Sequence, residues 1–294
     1  MTPERPAKAD DNDAAPGRER DRYGVIGHPI AHSLSPVIHR LFAAQTGQSM
    51  GYIAIDSAPD SFERDVAALF ADGVRGLNVT APHKGAAQAL CDELTPRARS
   101  AGAVNTLVRR DDGSVLGDTT DGAGLVHDLV DNLDATLDNA SVLILGAGGS
   151  VFSVLGELLA RCPARIVIAN RTRATARRAA AAFASAGNVH GCGLDDIPAG
   201  PYDLVINATS ATLKGAVPAI AAELVRGAHA YDLMYAANGT LFTAWCSDHG
   251  AARVNTGIGM LIEQAALSFE IWRGVRPDTA AVGRLLATRY GFAY

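Results

Sequence analysis

The stretch that decides the fold is Ser141-Val-Leu-Ile-Leu-Gly-Ala-Gly-Gly-Ser150, in which an uninterrupted apolar run passes directly into a glycine-rich turn. A short apolar run that ends in glycines predicts a buried strand of a parallel sheet. A helical pattern follows, from about residue 150 to 161. Such a turn lets backbone N–H groups approach a pyrophosphate, and the helix start adds a favourable dipole. The predicted pyrophosphate site is Gly146, Ala147, Gly148, Gly149 and Ser150.

This glycine motif is incomplete, because Val151 stands at the place of the third glycine of the usual fingerprint. The following strand supplies a second signal, since it leads into Asn170-Arg171-Thr172-Arg173. An NAD site presents a carboxylate here, to bind the ribose hydroxyls, whereas arginine pairs bidentately with a phosphate. We therefore predict NADP as the cofactor, with these four residues around its ribose phosphate. The alternative is that the arginines merely solvate an exposed loop.

Short strand patterns alternate with helical patterns on both sides of this turn, which predicts an α/β fold with mostly parallel sheets. Residues 23–121 form a first block, which we expect to bind substrate. Residues 122–258 form a second block with the doubly wound, Rossmann-like pattern of a nucleotide-binding domain. The helices in residues 259–294 are expected to rejoin the first block, with a cleft between the two domains.

Composition narrows the class of partner. The net charge of −5 argues against nucleic acid or an anionic membrane as a partner. No apolar run approaches the ~20 residues of a membrane span, and no signal peptide precedes the fold, so we expect a cytoplasmic protein. The four cysteines form no CxxC pair, and no metal site is predicted. Residues 1–22 contain no large hydrophobic residue after Met1 and predict a disordered tail.

Polar residues follow several of the predicted strands of the first block. Asn78 and Thr80 lie on the same face of an extended chain, and Lys84 falls in the first turn of the next helix. Asp121 stands at another helix start. Taken alone, such a lysine is typical of a protein surface and such an aspartate of a helix cap. Ser33 and Asn105 likewise read as turn residues, and Ser35 as the N-cap of a helix with proline at its first position.

Eight motifs that follow one another in a fixed order change the interpretation of these single residues. Together they resemble the shikimate dehydrogenase family from about residue 23 to the C-terminus. Besides the glycine turn, with the Asn-Arg-Thr motif that follows it, the matching stretches are Tyr23–Pro36, Gly76–Lys84, Ala101–Thr106, Thr120–Gly122, Asp203–Ser210, Tyr231–Tyr235 and Gly257–Ala265.

The resemblance implies NADPH-dependent, reversible reduction of 3-dehydroshikimate to shikimate, on the route to aromatic amino acids. It implies that Lys84 and Asp121 form the catalytic pair, and that Gly257 and Met260 lie near the nicotinamide. Roles in binding or orienting substrate fall on seven residues: Ser33, Ser35, Asn78, Thr80, Asn105, Tyr235 and Gln264. The expected partner is a small molecule only, and the expected assembly is a monomer or a homodimer.

The chain departs from the family pattern at several threonines. Thr119, Thr212 and Thr256 replace the usual Asn, Gly and Asp, and Thr175 replaces an arginine, so that Arg173 would have to serve in its place. Two alternatives stay open. One is a quinate/shikimate dehydrogenase with relaxed choice of substrate or cofactor. The other is a non-catalytic NADP-binding sensor, which loss of Lys84 or Asp121 would have favoured.

Overall fold

The structure, a computed structural model, describes residues 20–212 and 215–292. The first of its two sheets has six strands in the order β2-β1-β3-β5-β6-β4. Their bounds are β1 Asp21–Gly27, β2 Met50–Asp56, β3 Val74–Val79, β4 Glu93–Leu94, β5 Thr106–Arg109 and β6 Val115–Asp118.

This first sheet is mostly parallel, as expected, and β5 is its exception. β1 runs parallel to β2 and β3, but β5 runs antiparallel to both β3 and β6. β5 and β6 are joined only by residues 110–114, and so short a connection cannot carry the crossover that parallel neighbours need.

The second sheet confirms the doubly wound α/β pattern. Its six strands are all parallel, in the order β12-β11-β10-β7-β8-β9. The order reverses between β7 and β10, where open sheets of this type bind ligands beyond the carboxyl ends of the strands. The bounds are β7 Ser141–Leu145, β8 Arg165–Asn170, β9 Val189–Gly193, β10 Leu204–Asn207, β11 His229–Asp232 and β12 Arg253–Thr256.

Helices cover the sheets and connect them. They are α1 Ser35–Thr46, α2 Phe62–Ala71, α3 Lys84–Ala89, α4 Pro96–Ala101, α5 Asp121–His127, α6 Gly149–Leu159, α7 Arg173–Ala182, α8 Leu241–Asp248, α9 Ile258–Arg273 and α10 Thr279–Tyr290. A π-helical turn, Asp128–Asn132, extends α5. Within the described ranges, no helix is long and apolar enough to cross a membrane.

The last two helices return to the first sheet. Ile262 and Phe269 of α9 and Leu286 of α10 share one apolar cluster with Ile38 and Phe42 of α1, and all five are fully buried. This packing supports the rejoining of residues 259–294 with the first block, and the domain limits themselves stay a prediction.

The first strand begins slightly before the expected boundary at residue 23. β1 begins at Asp21, whose carboxylate pairs with Arg75 Nε at 3.0 Å and also with Arg273 of α9. These two contacts hold the strand start against the sheet and the returning helix. Residues 1–19 of the expected tail lie outside the described residues.

Candidate active site

Lys84 and Asp121 meet at the carboxyl end of the first sheet. β3 ends at Val79 and α3 begins at Lys84, while Asp121 is the first residue of α5. Lys84 Nζ donates to Asp121 Oδ2 at 2.7 Å. The two side chains are 16% and 8% exposed. The ammonium therefore has one fixed partner and a small opening towards solvent.

The second oxygen of Asp121 is also engaged. Asn105 Nδ2 donates to Asp121 Oδ1 at 2.9 Å and approaches Gln264 Oε1 at 3.3 Å. Asn105 and Gln264 are both buried. Since each carboxylate oxygen has a donor, the carboxylate cannot rotate without breaking one of them, and it fixes where the ammonium points.

The helix that carries Asp121 touches the helix that begins at the glycine turn. At Gly122 a Cβ would lie 2.7 Å from the backbone oxygen of Ser153 in α6, and at Gly124 it would lie 2.7 Å from the backbone nitrogen of Gln264 in α9. Only glycine permits these close approaches. The Lys84–Asp121 pair is thereby attached to both the nucleotide side and the returning helix.

Asn78 lies in β3, and protein partners engage its whole side-chain amide. Its Oδ1 accepts from the Tyr52 hydroxyl at 2.7 Å, and its Nδ2 donates to Ser268 Oγ at 2.9 Å and to Thr106 Oγ1 at 3.2 Å. Burial raises the pKa of Tyr52 well above its usual range, so the phenol stays a donor. Asn78 therefore ties strand β3 to its neighbours and has no group left over.

Four residues of this network were not singled out from the sequence: Tyr52, Thr106, Thr120 and Ser268. Thr120 Oγ1 accepts from Asn105 Nδ2 at 2.9 Å and lies 3.2 Å from Ser268 Oγ. A signal existed for Ser268, because it follows Gln264 by one helical turn and shares its face. Thr106 and Thr120 lie within recognised stretches but carried no further signal, and Tyr52 lies outside all of those stretches.

Ser33 and Ser35 lie at the start of α1. The N-cap is Leu34, and Ser35 is the first helical residue, so the expectation that Ser35 caps the helix was wrong. The reason is local, since Ser33 Oγ itself accepts from the Ser35 backbone N–H at 3.3 Å. The buried Ser35 hydroxyl instead lies against Tyr52, where their hydrogen bond lowers the phenol pKa against the larger effect of burial.

Thr80 and Tyr235 approach the site from the two sheets. Thr80 follows β3, and its methyl packs so close to Gly27 that a Cβ there would come within 2.3 Å of it. Tyr235 follows β11 of the second sheet, yet its ring packs in the apolar cluster of α1 and α9, with its centroid 6.1 Å from that of Phe292. Tyr235 thus joins the second sheet to the first.

The glycine turn fits a pyrophosphate. Gly146 has φ +108°, and a Cβ there would lie 3.0 Å from the backbone oxygen of Ala208. Ala147 is buried, whereas Gly148, Gly149 and Ser150 are exposed at the start of α6. This helix has no side-chain cap, so its first N–H groups are available to an anion.

The carboxyl end of β8 carries the residues assigned to the ribose phosphate. Asn170 Nδ2 donates to the backbone oxygen of Thr172 at 3.1 Å, which shapes the turn. Arg171 is exposed and has no ion pair in the described part of the chain. Arg173, in contrast, pairs with Asp196 and lies 3.7 Å from Asp195. The two arginines are therefore not equivalent.

Gly257 and Met260 lie where β12 passes into α9. A Cβ at Gly257 would come within 2.3 Å of the backbone oxygen of Leu233, so only glycine fits there. The backbone N–H of Met260 donates to the Tyr231 hydroxyl at 3.3 Å. In the residues that the structure describes, no group of three or more His, Cys, Asp or Glu is placed to hold a metal ion.

Three family models match the chain. Residues 25–107 match the shikimate dehydrogenase substrate binding domain, and residues 128–226 match the shikimate / quinate 5-dehydrogenase model. Residues 257–285 match the shikimate 5′-dehydrogenase C-terminal domain. The matched segments follow the chain order of the two sheets and of the returning helix.

Individual proteins give the same result. A shikimate dehydrogenase (NADP(+)) of Thioalkalivibrio sulfidiphilus is 51% identical over 90% of this chain and 98% of its own length. One of Methylococcus capsulatus is 52% identical over 89% of this chain and 94% of its own. Among solved structures, the shikimate 5-dehydrogenase of Thermus thermophilus in complex with NADP(H) and shikimate superposes with TM-score 0.78 at 30% identity, covering 90% of this chain and 97% of that one.

Proposed function

The chain belongs to the shikimate dehydrogenase family, and from that premise we propose that Lys84 and Asp121 carry out its chemistry. The activity is the reversible, NADPH-dependent reduction of 3-dehydroshikimate to shikimate, in aromatic amino acid biosynthesis. One observation carries the assignment: the 2.7 Å contact between Lys84 Nζ and Asp121 Oδ2, in a largely buried position beside the helix of the glycine turn.

The role of Lys84 follows from the charge that the reaction creates. NADPH, when bound, supplies the hydride. As the ketone carbon is reduced, negative charge develops on its oxygen, and an ammonium within hydrogen-bond reach stabilises that charge and donates the proton. In the reverse direction the same nitrogen accepts the hydroxyl proton.

Asp121 acts through Lys84. Its carboxylate keeps the ammonium oriented, and Asn105 holds the carboxylate from the other side at 2.9 Å. A catalytic group held by partners of this kind keeps its geometry without reorganising during the reaction. Asp121 and Asn105 therefore contribute to the rate by fixing the direction of the N–H bond that meets the substrate oxygen.

The remaining polar residues bind or orient substrate. Ser33 and Ser35 bind its carboxylate through their hydroxyls. Thr80, Asn105 and Gln264 meet the ring hydroxyls. Two residues position these substrate-binding side chains. Asn78 does so because its amide is saturated by protein partners, and Tyr235 because it joins the two sheets.

NADP lies across the carboxyl edge of the second sheet in this proposal. Its pyrophosphate binds the start of α6, its ribose phosphate binds the turn after β8, and its nicotinamide lies near the start of α9. The residues are Gly146, Ala147, Gly148, Gly149, Ser150, Asn170, Arg171, Thr172, Gly257 and Met260, with Arg173 beside the ribose phosphate and paired with Asp196. The protein acts in the cytoplasm on a small-molecule substrate, as a monomer or a homodimer.

A four-way assay tests the substrate and the cofactor together. Shikimate or quinate is mixed with NADP⁺ or NAD⁺, and the absorbance of the reduced nicotinamide is followed. We expect shikimate with NADP⁺ to give the highest kcat/KM. Faster turnover of quinate would favour a quinate/shikimate dehydrogenase, and NADPH binding without turnover of either substrate would favour a non-catalytic sensor.

A further inference from the structure

Two aspartates lie beside one of the two arginines at the ribose-phosphate end of the nucleotide site. Arg173 begins α7, and its guanidinium pairs with Asp196 and lies 3.7 Å from Asp195. Both aspartates follow β9, the neighbour of β8 in the sheet. A Cβ at Gly193 would lie 2.3 Å from Asp195 Oδ1 and 3.3 Å from Arg173 Nε. The side chains of Asp195 and Arg173 therefore both pack against Gly193.

Arg171 has a different environment two residues earlier. Its side chain is exposed and forms no ion pair within residues 20–212 and 215–292. The end of β8 thus offers one arginine whose charge is uncompensated and one whose charge is matched by carboxylates. A phosphate arriving here meets attraction from Arg171, and at Arg173 it must compete with Asp196 for the same N–H donors.

We propose that Asp196 determines cofactor selectivity by holding Arg173, so that Arg171 alone provides the guanidinium for the 2′-phosphate of NADP. The proposal rests on the nucleotide site assigned under Proposed function. Selectivity for NADP over NAD is then below what two arginines would give. Because the Arg173–Asp196 pair is partly exposed, with 44% and 45% of the two side chains accessible, its effect is a matter of a few-fold.

The first measurement compares two arginine variants. The dissociation constants of NADPH and NADH are determined by titration of nicotinamide fluorescence, without substrate. Arg171→Ala is expected to weaken NADPH about 10- to 100-fold, the range for a lost charge-assisted contact, and to leave NADH within about twofold. Arg173→Ala is expected to change NADPH affinity by less than about threefold.

The second measurement releases Arg173 from its partner. Asp196→Asn keeps the size of the side chain and removes its charge. It is expected to tighten NADPH binding about three- to fivefold, because Arg173 becomes available and a like charge leaves the phosphate site. In the Asp196→Asn background, Arg173→Ala should then reverse that gain. This non-additivity is the signature of one residue acting through the other.

Two aspartate variants serve as controls. Asp195→Asn is expected to have a smaller effect than Asp196→Asn, since its carboxylate is farther from the guanidinium. Asp111→Asn makes the same change of net charge on an exposed residue of the first domain, where it pairs with Arg75, and should leave both affinities unchanged.

Three results would overturn the proposal. One is a large loss of NADPH affinity in Arg173→Ala, which would mean that this arginine leaves Asp196 to bind the phosphate. The second is an unchanged NADPH affinity in Asp196→Asn. The third is that the parent protein binds neither NADPH nor NADH. Because the titration contains no shikimate, failure of the proposed reaction would appear separately, as normal nucleotide binding with no turnover.

Discussion

At the scale of single residues, the proposed chemistry depends on an ammonium whose direction is fixed by its neighbours. Asp121 holds Lys84 through one oxygen and Asn105 through the other, at 2.7 Å and 2.9 Å. The pair is enclosed but still slightly open to solvent. Removal of the ammonium should therefore affect the chemical step more than the fold.

Lys84→Ala tests this directly. We expect kcat to fall about 10²- to 10⁴-fold, because the developing alkoxide loses its proton donor. The NADPH dissociation constant should stay within about twofold, and the thermal unfolding midpoint should change little. Asp121→Asn, which keeps the shape of the carboxylate, should lower kcat as well. Near-normal turnover by Lys84→Ala would contradict the proposed mechanism.

Ser268 contributes through the scaffold beneath the pair. Its hydroxyl is fully buried and contacts Asn78 Nδ2, Thr106 Oγ1 and Thr120 Oγ1 within 3.2 Å. Ser268→Ala leaves these groups short of a partner, so unfolding free energy in urea should fall by about 1–3 kcal/mol. Ser247→Ala, on an exposed position of α8, should stay within about 0.5 kcal/mol of the parent. Equal losses in the two variants would show that the network does not stabilise the fold.

The sequence motifs predicted the chemically distinctive residues of the site better than their supports. Lys84 and Asp121 stand in motifs with the right side chains at strand and helix ends, and the structure brings them together. Tyr52 meets Asn78 across 26 residues of chain, because β2 and β3 lie on either side of β1, and Ser268 meets it across 190 residues, because α9 packs on β3. The Arg173–Asp196 pair escaped prediction for the same reason, because it joins two neighbouring strand ends.

At the scale of elements, the turn between β7 and α6 has two glycines with different physical roles. Gly146 has φ +108° and only a tight space for a Cβ, whereas Gly148 has φ −85° and open space around it. The first glycine is needed by the backbone, and the second leaves the helix start accessible to a ligand. Alanine substitutions can separate these roles.

Gly146→Ala should lower the unfolding free energy by about 1–3 kcal/mol, because the backbone is forced into a strained conformation. Gly148→Ala should keep the parent's thermal midpoint and weaken NADPH binding, since the new methyl occupies space beside the free N–H groups of α6. Thermal unfolding and NADPH titration of both variants check the expectation. A stable Gly146→Ala protein would contradict the backbone role.

Elements with a strong local pattern were predicted with correct bounds, and weakly patterned ones were missed. Strand patterns in the sequence predict strands over Thr106–Arg109, Ser141–Leu145 and Leu204–Asn207, and these are the observed bounds of β5, β7 and β10. β9 contains His190, Gly191 and Cys192, which have no strand pattern, and it forms by pairing with β8. β4 has two residues and α4 only six, too few for periodicity to show. Pairing and packing, rather than local preference, create these elements.

At the scale of the whole molecule, stability in acid depends on a buried histidine. His39 is inaccessible and its ring stacks on Tyr52, with centroids 4.0 Å apart and planes 8° apart. Burial lowers the pKa of His39 from 6.5 to about 3, against a smaller opposite effect of Asn78. Between pH 6.5 and about pH 3, the unfolded chain therefore binds a proton at His39 that the folded protein does not bind.

The sign of the pH effect follows. The contribution of His39 to stability is complete above pH 6.5 and is lost as pH falls towards 3, at ~1.4 kcal/mol per pH unit. His39→Phe should remove this dependence, so the variant gains about 2 kcal/mol on the parent between about pH 7.5 and about pH 5 in urea unfolding. His190→Gln, at an exposed histidine, should follow the parent curve. Parallel curves for parent and His39→Phe would contradict the assignment.

The return of α9 and α10 to the first sheet has a consequence for synthesis on the ribosome. Ile38 and Phe42 are translated before the second sheet, but their partners Ile262, Phe269 and Leu286 are translated after it. The six strands of the second sheet are all complete before residue 258. A nascent chain can therefore fold its nucleotide-binding domain while the apolar face of α1 is still exposed. We expect a chaperone to protect the chain most by binding that face.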